Sequence, residues 1–239
     1  MPTYYKDFTA AYLSICKELL LHPQFVSSPR DRKTHEIIDY SFGLEGLPEI
    51  HWEQTGMPER TARYESYWQK ELAWYLSGQL SAESAPAAFW ATIADDNEMI
   101  TSNYGFMTLH DDKYEDHEGE GITGYNRVVK ILKKDHDSRQ AMLHYGDPTN
   151  FWEGNKDTPC CVSNQFLIRD GKLIMIVNMR STDVWLGLQF DVRWFSFLQM
   201  KLAADLGIEA GEIRYHMGSL HLYEADFPKI EQMLKQYHP

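Results

Sequence analysis

Two apolar stretches, Val162 to Ile168 and Leu173 to Met179, flank the dipeptide Asp170-Gly171. Asp-Gly between strand-like runs favours a tight hairpin turn whose central residues take positive φ. This commits the middle of the chain to an antiparallel pair and excludes an all-helical bundle or a purely parallel sheet. Helical stripes surround it. Phe8, Tyr12, Ile15 and Leu19 recur at helical spacing before Pro23, Glu65 to Leu76 reads as an aromatic-rich amphipathic helix, and Phe190 to Leu206 forms another that Gly207 stops. Shorter helices are predicted at Ala87 to Ala94, Asn126 to Lys134 and after Ala225. Strands are predicted at His35 to Leu44, Gln140 to Tyr145 and Glu212 to Met217. Hairpins mixed with helices, without regular strand-helix alternation, give an α+β class with a mixed sheet and packed helices.

No repeat and no Pro/Gly/Ser linker divides the 239 residues, so residues 1–239 are expected to form one domain. A net charge of −12 works against binding to nucleic acid or to an anionic membrane surface. No apolar run approaches the ~18–20 residues of a membrane span. The opening Met-Pro-Thr-Tyr-Tyr-Lys-Asp lacks the layout of a signal peptide. Three cysteines, two of them adjacent, make a poor disulfide framework, so a cytoplasmic location is expected. The acidic run from Asp111 to Gly121 lacks the spacing of a metal loop and reads as a solvated segment. No metal is expected.

Cys160 follows Thr158-Pro159 at the entrance to a strand. It is either a small buried hydrophobe or a thiol aimed into a cleft by a proline-fixed turn. With Cys161 it could also form a redox pair, although C-x-x-C spacing is missing. Further on, Arg180 and Ser181 suit a phosphate through a planar fork and a hydroxyl donor, or Arg180 pairs with Asp183 on the surface. Asp191 opens a helix, where an acid serves as a cap. His221 and Tyr223 alternate on an extended segment and point the same way.

Taken together and in order, these segments resemble the thymidylate synthase and pyrimidine hydroxymethylase family, above all the deoxycytidylate hydroxymethylases of bacteriophages. The matching stretches are Glu71-Leu72-Ala73-Trp74-Tyr75-Leu76, Ser102-Asn103-Tyr104-Gly105, Asp137-Ser138-Arg139, Pro159-Cys160, Arg180-Ser181 through Asp191, and Gly218-Ser219-Leu220-His221-Leu222-Tyr223. The resemblance implies a thymidylate synthase-like fold and the following roles. Cys160 adds to C6 of the pyrimidine, Glu71 organises water and protons, and Tyr104 lines the cleft. Arg180 and Ser181 bind phosphate, joined by Arg139 donated across a homodimer interface. Arg30 stands in for the phosphate-loop arginine, with Arg32 as the alternative. His221 and Tyr223 bind the sugar, while Asp183 and Gly187 contact the co-substrate, 5,10-methylenetetrahydrofolate.

The family also implies that Asp191 reads the base. Asparagine occupies this position in enzymes acting on deoxyuridylate, whereas a carboxylate accepts from cytosine N4–H and from N3–H once N3 is protonated. The substrate expected is therefore dCMP. Sixteen residues follow Tyr223, fewer than in thymidylate synthase, and a shorter lid would leave a wetter site. Water would then complete the reaction as hydroxymethylation. The rivals are a dCMP C5-methyltransferase that releases dihydrofolate, a CMP-specific enzyme, and a catalytically silent nucleotide- or RNA-binding relative. In departures from the family pattern, Gln140 follows Arg139 in place of a second arginine, and Cys161 replaces a histidine.

Overall fold

The computed structural model describes residues 2–46, 48–146 and 154–236. Ten strands are present among them: β1 (Thr3–Tyr5), β2 (Phe25–Ser27), β3 (Thr34–Leu44), β4 (Tyr114–Glu115), β5 (Gly121–Ile122), β6 (Met142–His144), β7 (Cys161–Arg169), β8 (Lys172–Met179), β9 (Thr182–Asp183) and β10 (Glu209–Tyr223). The five α-helices are α1 (Phe8–Leu21), α2 (Arg60–Ser77), α3 (Gly124–Lys134), α4 (Leu188–Leu206) and α5 (Phe227–Gln236). The main sheet runs β1-β3-β10-β8-β7-β6, with β2 added to β3 and β9 to β10. It is mixed. β7 and β8 are antiparallel, β8 and β10 parallel, and β3 and β10 antiparallel.

The hairpin forms as its turn dipeptide dictates, with φ of 50° at Asp170 and 74° at Gly171. Its strands alternate as a sheet packed on one side requires. Leu173, Met175, Val177 and Met179 of β8 are buried, while Ile174, Ile176 and Asn178 remain half-exposed on the other face. Helices α1 and α4 pack on the sheet, and α2 adds Tyr75 against Trp194 of α4, ring centres 4.7 Å apart. Phe42 of β3 and Tyr215 of β10 stack within the same core. Among the described residues no helix is long and apolar enough to cross a membrane.

Several expectations are refined. Ala88–Thr92 forms a 3-10 turn rather than an α-helix. The acidic segment contains the small β4-β5 ribbon, and Asp116 there accepts amides from Glu118 and Glu120 and pairs with Lys130. The last strand does not stop at Met217 but continues to Tyr223, because it changes partners there. Met217 pairs with Met179 of β8, and Leu220 with Thr182 of β9. At the changeover Gly218 lies so close to the Arg180 carbonyl that a Cβ would sit 3.0 Å from its oxygen. The gap between β8 and β9, filled by Arg180 and Ser181, is where the candidate site lies.

Candidate active site

Cys160 immediately precedes β7, and main-chain bonds hold it in place. Its carbonyl accepts the Arg180 amide at 2.8 Å, and the next amide, of Cys161, donates to the Tyr104 hydroxyl oxygen at 2.9 Å. The Arg180 guanidinium donates to the Pro159 carbonyl at 2.9 Å and to the Thr158 carbonyl at 2.7 Å, and its Nη2 lies 4.0 Å from Cys160 Sγ. Burial pushes the Cys160 thiol up to about 11, against the lowering charge of Arg180 and with the raising charges of Asp191, Asp157 and Asp183.

Tyr104 is carried by the Ser102-Asn103-Tyr104-Gly105 segment, which lies directly on the end of α2. Asn103 Nδ2 donates to the Gln79 carbonyl, and a Cβ at Gly105 would collide with the Tyr75 carbonyl at 2.0 Å. Glycine alone permits that approach. One turn up α2, Glu71 is 3% exposed. Its Oε1 accepts the Tyr67 hydroxyl at 3.0 Å, whereas Oε2 is buried with no hydrogen-bond partner among the described residues. Burial raises its carboxyl to about 8. Tyr67 counteracts part of that rise, and Asp191 adds to it.

Asp191 stands half-buried in the first turn of α4, its amide bonded to the Gly187 carbonyl. Burial and, secondarily, the charge of Asp183 raise its carboxyl to about 7. A Cβ on Gly187 would lie 3.3 Å from the Asp183 carbonyl oxygen and 3.4 Å from Asp191 Oδ2, so the glycine keeps a narrow space open between the two acids. Asp183 Oδ1 accepts the amides of Trp185 and Leu186 at 2.9 and 3.0 Å, and β9 places Asp183 beside His221 of β10. Burial raises the Asp183 carboxyl and lowers the His221 imidazole, while each partner's charge favours ionisation of the other. His221 and Tyr223 meet edge to face, 5.3 Å apart.

The arrangement is a thiol, two carboxyls held protonated toward neutral pH and an arginine fork, set along the open ends of β8 and β9. A family model described as thymidylate synthase matches residues 11–239. The chain belongs to the thymidylate synthase family. Enzymes of this family transfer a one-carbon unit to a pyrimidine nucleotide with methylenetetrahydrofolate as co-substrate, and this chain is a transferase of that kind. It is 32% identical over 185 residues to the deoxycytidylate 5-hydroxymethyltransferase of Enterobacteria phage T4, covering 72% of each chain. It is 26% identical over 181 residues to the thymidylate synthase of Francisella philomiragia, covering 70% of this chain and 64% of that one. Thermostable thymidylate synthase A from Bacillus subtilis shares the fold, with a TM-score of 0.70 at 21% identity over 95% of this chain and 84% of the other.

Within this thymidylate synthase fold, the sequence-predicted residues divide into two groups. Cys160, Tyr104, Glu71, Asp191, Asp183 and Gly187 lie close together, Asp191 acting electrostatically on Cys160, Glu71 and Tyr104 and Gly187 standing between Asp183 and Asp191. Arg180 adjoins Cys160, Ser181 follows it, and His221, beside Asp183, meets Tyr223. Arg139 and Arg30 stand apart. Arg139 is exposed before β6, its carbonyl accepting from Gln165 of β7, and Arg30 is exposed in the turn Pro29–Asp31 with a left-handed φ of 53°. Arg32, not Arg30, is seen against the site, its guanidinium 3.8 Å from the centre of the Tyr223 ring. The surface pair Arg180–Asp183 does not form, because carbonyls occupy the arginine fork and amides occupy the carboxylate.

Two residues of the site, Asp157 and Tyr67, were given no role by the sequence reading, although the i, i+4 spacing of Tyr67 to Glu71 was there to be read. Asp157, 2% exposed, accepts from Thr101 N, Thr101 Oγ1, Ser102 N and Ser102 Oγ, tying the Cys160 turn to the segment that carries Tyr104. Its place two residues before the Pro159-Cys160 pair was the only available signal.

Proposed function

We propose that residues 1–239 form the catalytic domain of a homodimeric deoxycytidylate 5-hydroxymethyltransferase that converts dCMP to 5-hydroxymethyl-dCMP. The observation that carries this reading is the carboxyl of Asp191, raised by burial to about 7 and close enough to Cys160 to act on its thiol electrostatically. Such an acid gives a proton to cytosine N3 and then accepts from both N3–H and N4–H, a bidentate charge-assisted pair. Uracil has no basic N3, and its O4 turns an acceptor toward the carboxylate. The phage relative's activity, as named above, supports the same base and the same product.

Cys160 is then the nucleophile, and its sulfur adds to C6 as N3 becomes protonated. The thiol gives up its proton to solvent before attack, which burial disfavours and the charge of Arg180 favours, and the thiolate is the species that adds. Arg180 supplies the local positive charge. Addition at C6 makes C5 nucleophilic and splits one difficult substitution into feasible steps. Glu71, with one committed and one free carboxyl oxygen, holds and moves protons at C5 and at the attacking water. Arg180 and Ser181 bind the phosphate, with Arg30 or Arg32 in support, and His221 and Tyr223 bind the sugar hydroxyl. Asp183 and Gly187, with the half-buried Phe190 nearby in sequence, would hold the pterin of the co-substrate. When bound there, methylenetetrahydrofolate supplies a carbon at the oxidation level of formaldehyde.

The half-exposed sheet face formed by Gln165, Leu167, Ile174 and Ile176 supports a dimer, and the bond from Gln165 to Arg139 puts that arginine at its margin. Mixing Arg139→Ala with Cys160→Ser subunits tests the shared site. Each variant alone is expected to be nearly inactive, while random mixed dimers regain about a quarter of the native sites. No recovery on mixing would remove Arg139 from the partner's site. A thiol nucleophile and three unpaired cysteines suit a reducing cytoplasm. The deciding assay is tritium release from C5-labelled dCMP, CMP and dUMP with product identification. Release from dCMP with 5-hydroxymethyl-dCMP as product is expected. Stoichiometric dihydrofolate would make the chain a methyltransferase instead.

A further inference from the structure

Glu71 has two oxygens in unequal surroundings, and the difference has a cause within α2 and its neighbour. Tyr67 lies one helical turn before Glu71 and donates its hydroxyl hydrogen to Oε1 at 3.0 Å. Trp90 Nε1–H donates to the Tyr67 oxygen at 3.1 Å, so the hydroxyl is held by a donor behind it and its single hydrogen is directed forward. Trp90 is itself packed on Trp74, ring centres 5.1 Å apart. The Tyr67 ring lies 4.6 Å from Phe190, the residue before Asp191, so the same side chain touches both helices that carry the site's acids. Oε2 is buried and has no hydrogen-bond partner among the described residues.

We propose that Tyr67 is the positioning residue of Glu71: Trp90 fixes its hydroxyl, the hydroxyl pins Oε1, and Oε2 is thereby the only atom free to exchange protons with the reacting ring and its water. The inference rests on the proton-handling role proposed for Glu71. An oxygen that already accepts an O–H is the poorer place for the acid's own proton, which therefore resides on Oε2, available as a donor. Without the Tyr67 hydroxyl the two oxygens become equivalent, the carboxyl is free to turn, and the ionised form loses a hydrogen bond that favours it.

The test is an infrared titration of the buried carboxylic acid, its carbonyl band assigned by its loss in Glu71→Gln, run beside the pH profile of tritium release from dCMP. In Tyr67→Phe the midpoint is expected to rise about tenfold in proton affinity above its starting value of about 8, with the Glu71 limb of the pH profile moving by the same amount. Trp90→Phe, which keeps the hydroxyl but unties it, is expected to move both in the same direction by less. A side chain that merely fills space would change thermal stability and leave the midpoint where it was. An unmoved midpoint in the folded variants would overturn the proposal. Lack of tritium release by the native enzyme would instead sink the dCMP reading, while the infrared midpoint would still decide whether Tyr67 governs Glu71.

Discussion

Replacing Asp191 by asparagine should transfer the enzyme's preference from cytosine to uracil, and the structure sets how far. The native carboxyl titrates at about 7, so near neutral pH about half the molecules hold the proton that cytosine N3 requires. An amide has no such proton to give, although by flipping it still pairs with either base: it donates to N3 and accepts from N4–H of cytosine, or accepts from N3–H and donates to O4 of uracil. Binding of dCMP then weakens only by the difference between a charge-assisted and a neutral hydrogen bond, about 1–2 kcal/mol. The loss of proton donation costs a further 10²–10⁴-fold or so in rate. For dUMP the change removes an acceptor facing an acceptor, a gain of about 1–3 kcal/mol, or roughly 5- to 150-fold. The ratio of kcat/KM values for dCMP and dUMP should fall by about a thousandfold or more, with most of the dCMP loss in kcat. Tritium release from the two labelled nucleotides measures this directly. The native dCMP rate should also decline as pH rises through about 7, a limb absent from the Asp191→Asn reaction with dUMP. An unchanged ratio in a folded Asp191→Asn protein would refute this account of base selection.

Further outcomes follow from the same geometry. Arg180→Leu removes the cation that lowers the Cys160 thiol, so alkylation by iodoacetamide near pH 8 should slow by about tenfold, as read by intact mass. Glu71 binds its proton more tightly in the folded state, so its contribution to stability is complete below the ordinary carboxyl range and is lost as pH rises through about 8. Glu71→Gln should therefore melt at nearly the native temperature around pH 5 and clearly above it around pH 9; a constant difference across that range would refute the assignment. Asp157→Ala leaves the donors of Thr101 and Ser102 unpaired at a cost of about 2–4 kcal/mol, which lowers Tm by roughly 4–16 °C for a chain of this size. It should slow Cys160 adduct formation with a 5-fluoropyrimidine nucleotide at temperatures where the variant is folded.

The elements with a long internal period were legible in the sequence. The Asp170-Gly171 hairpin, the stripe of α1 and the aromatic face of α4 each carry enough repeats to fix their type. Strands β1, β2 and β9 carry none, since two or three residues show no period, and they exist only because β3 and β10 offer edges to pair with. The full length of β10 was hidden for a related reason: Gly218 interrupts its pattern at the point where the strand trades β8 for β9. In the site, a proline-set turn made Cys160 visible and a basic-hydroxyl pair marked Arg180 and Ser181. Glu71 and Asp191 were picked out for catalysis only through resemblance, because burial, a tertiary property, is what distinguishes them from any acid on a helix. Asp157 stayed invisible because its partners lie more than fifty residues away.

The stitches around Arg180 are made by peptide groups: its amide to the Cys160 carbonyl, its carbonyl to the Ser219 amide, and, two rungs on, the Val184 amide to the His221 carbonyl. Peptide groups are the same in every residue but proline. These main-chain bonds, which bring Cys160, Arg180 and His221 into register, therefore depend on no particular side chain for their donors and acceptors. With the base read at position 191 as proposed, an ancestor could exchange one nucleobase for another by a single codon change there and keep these bonds in place.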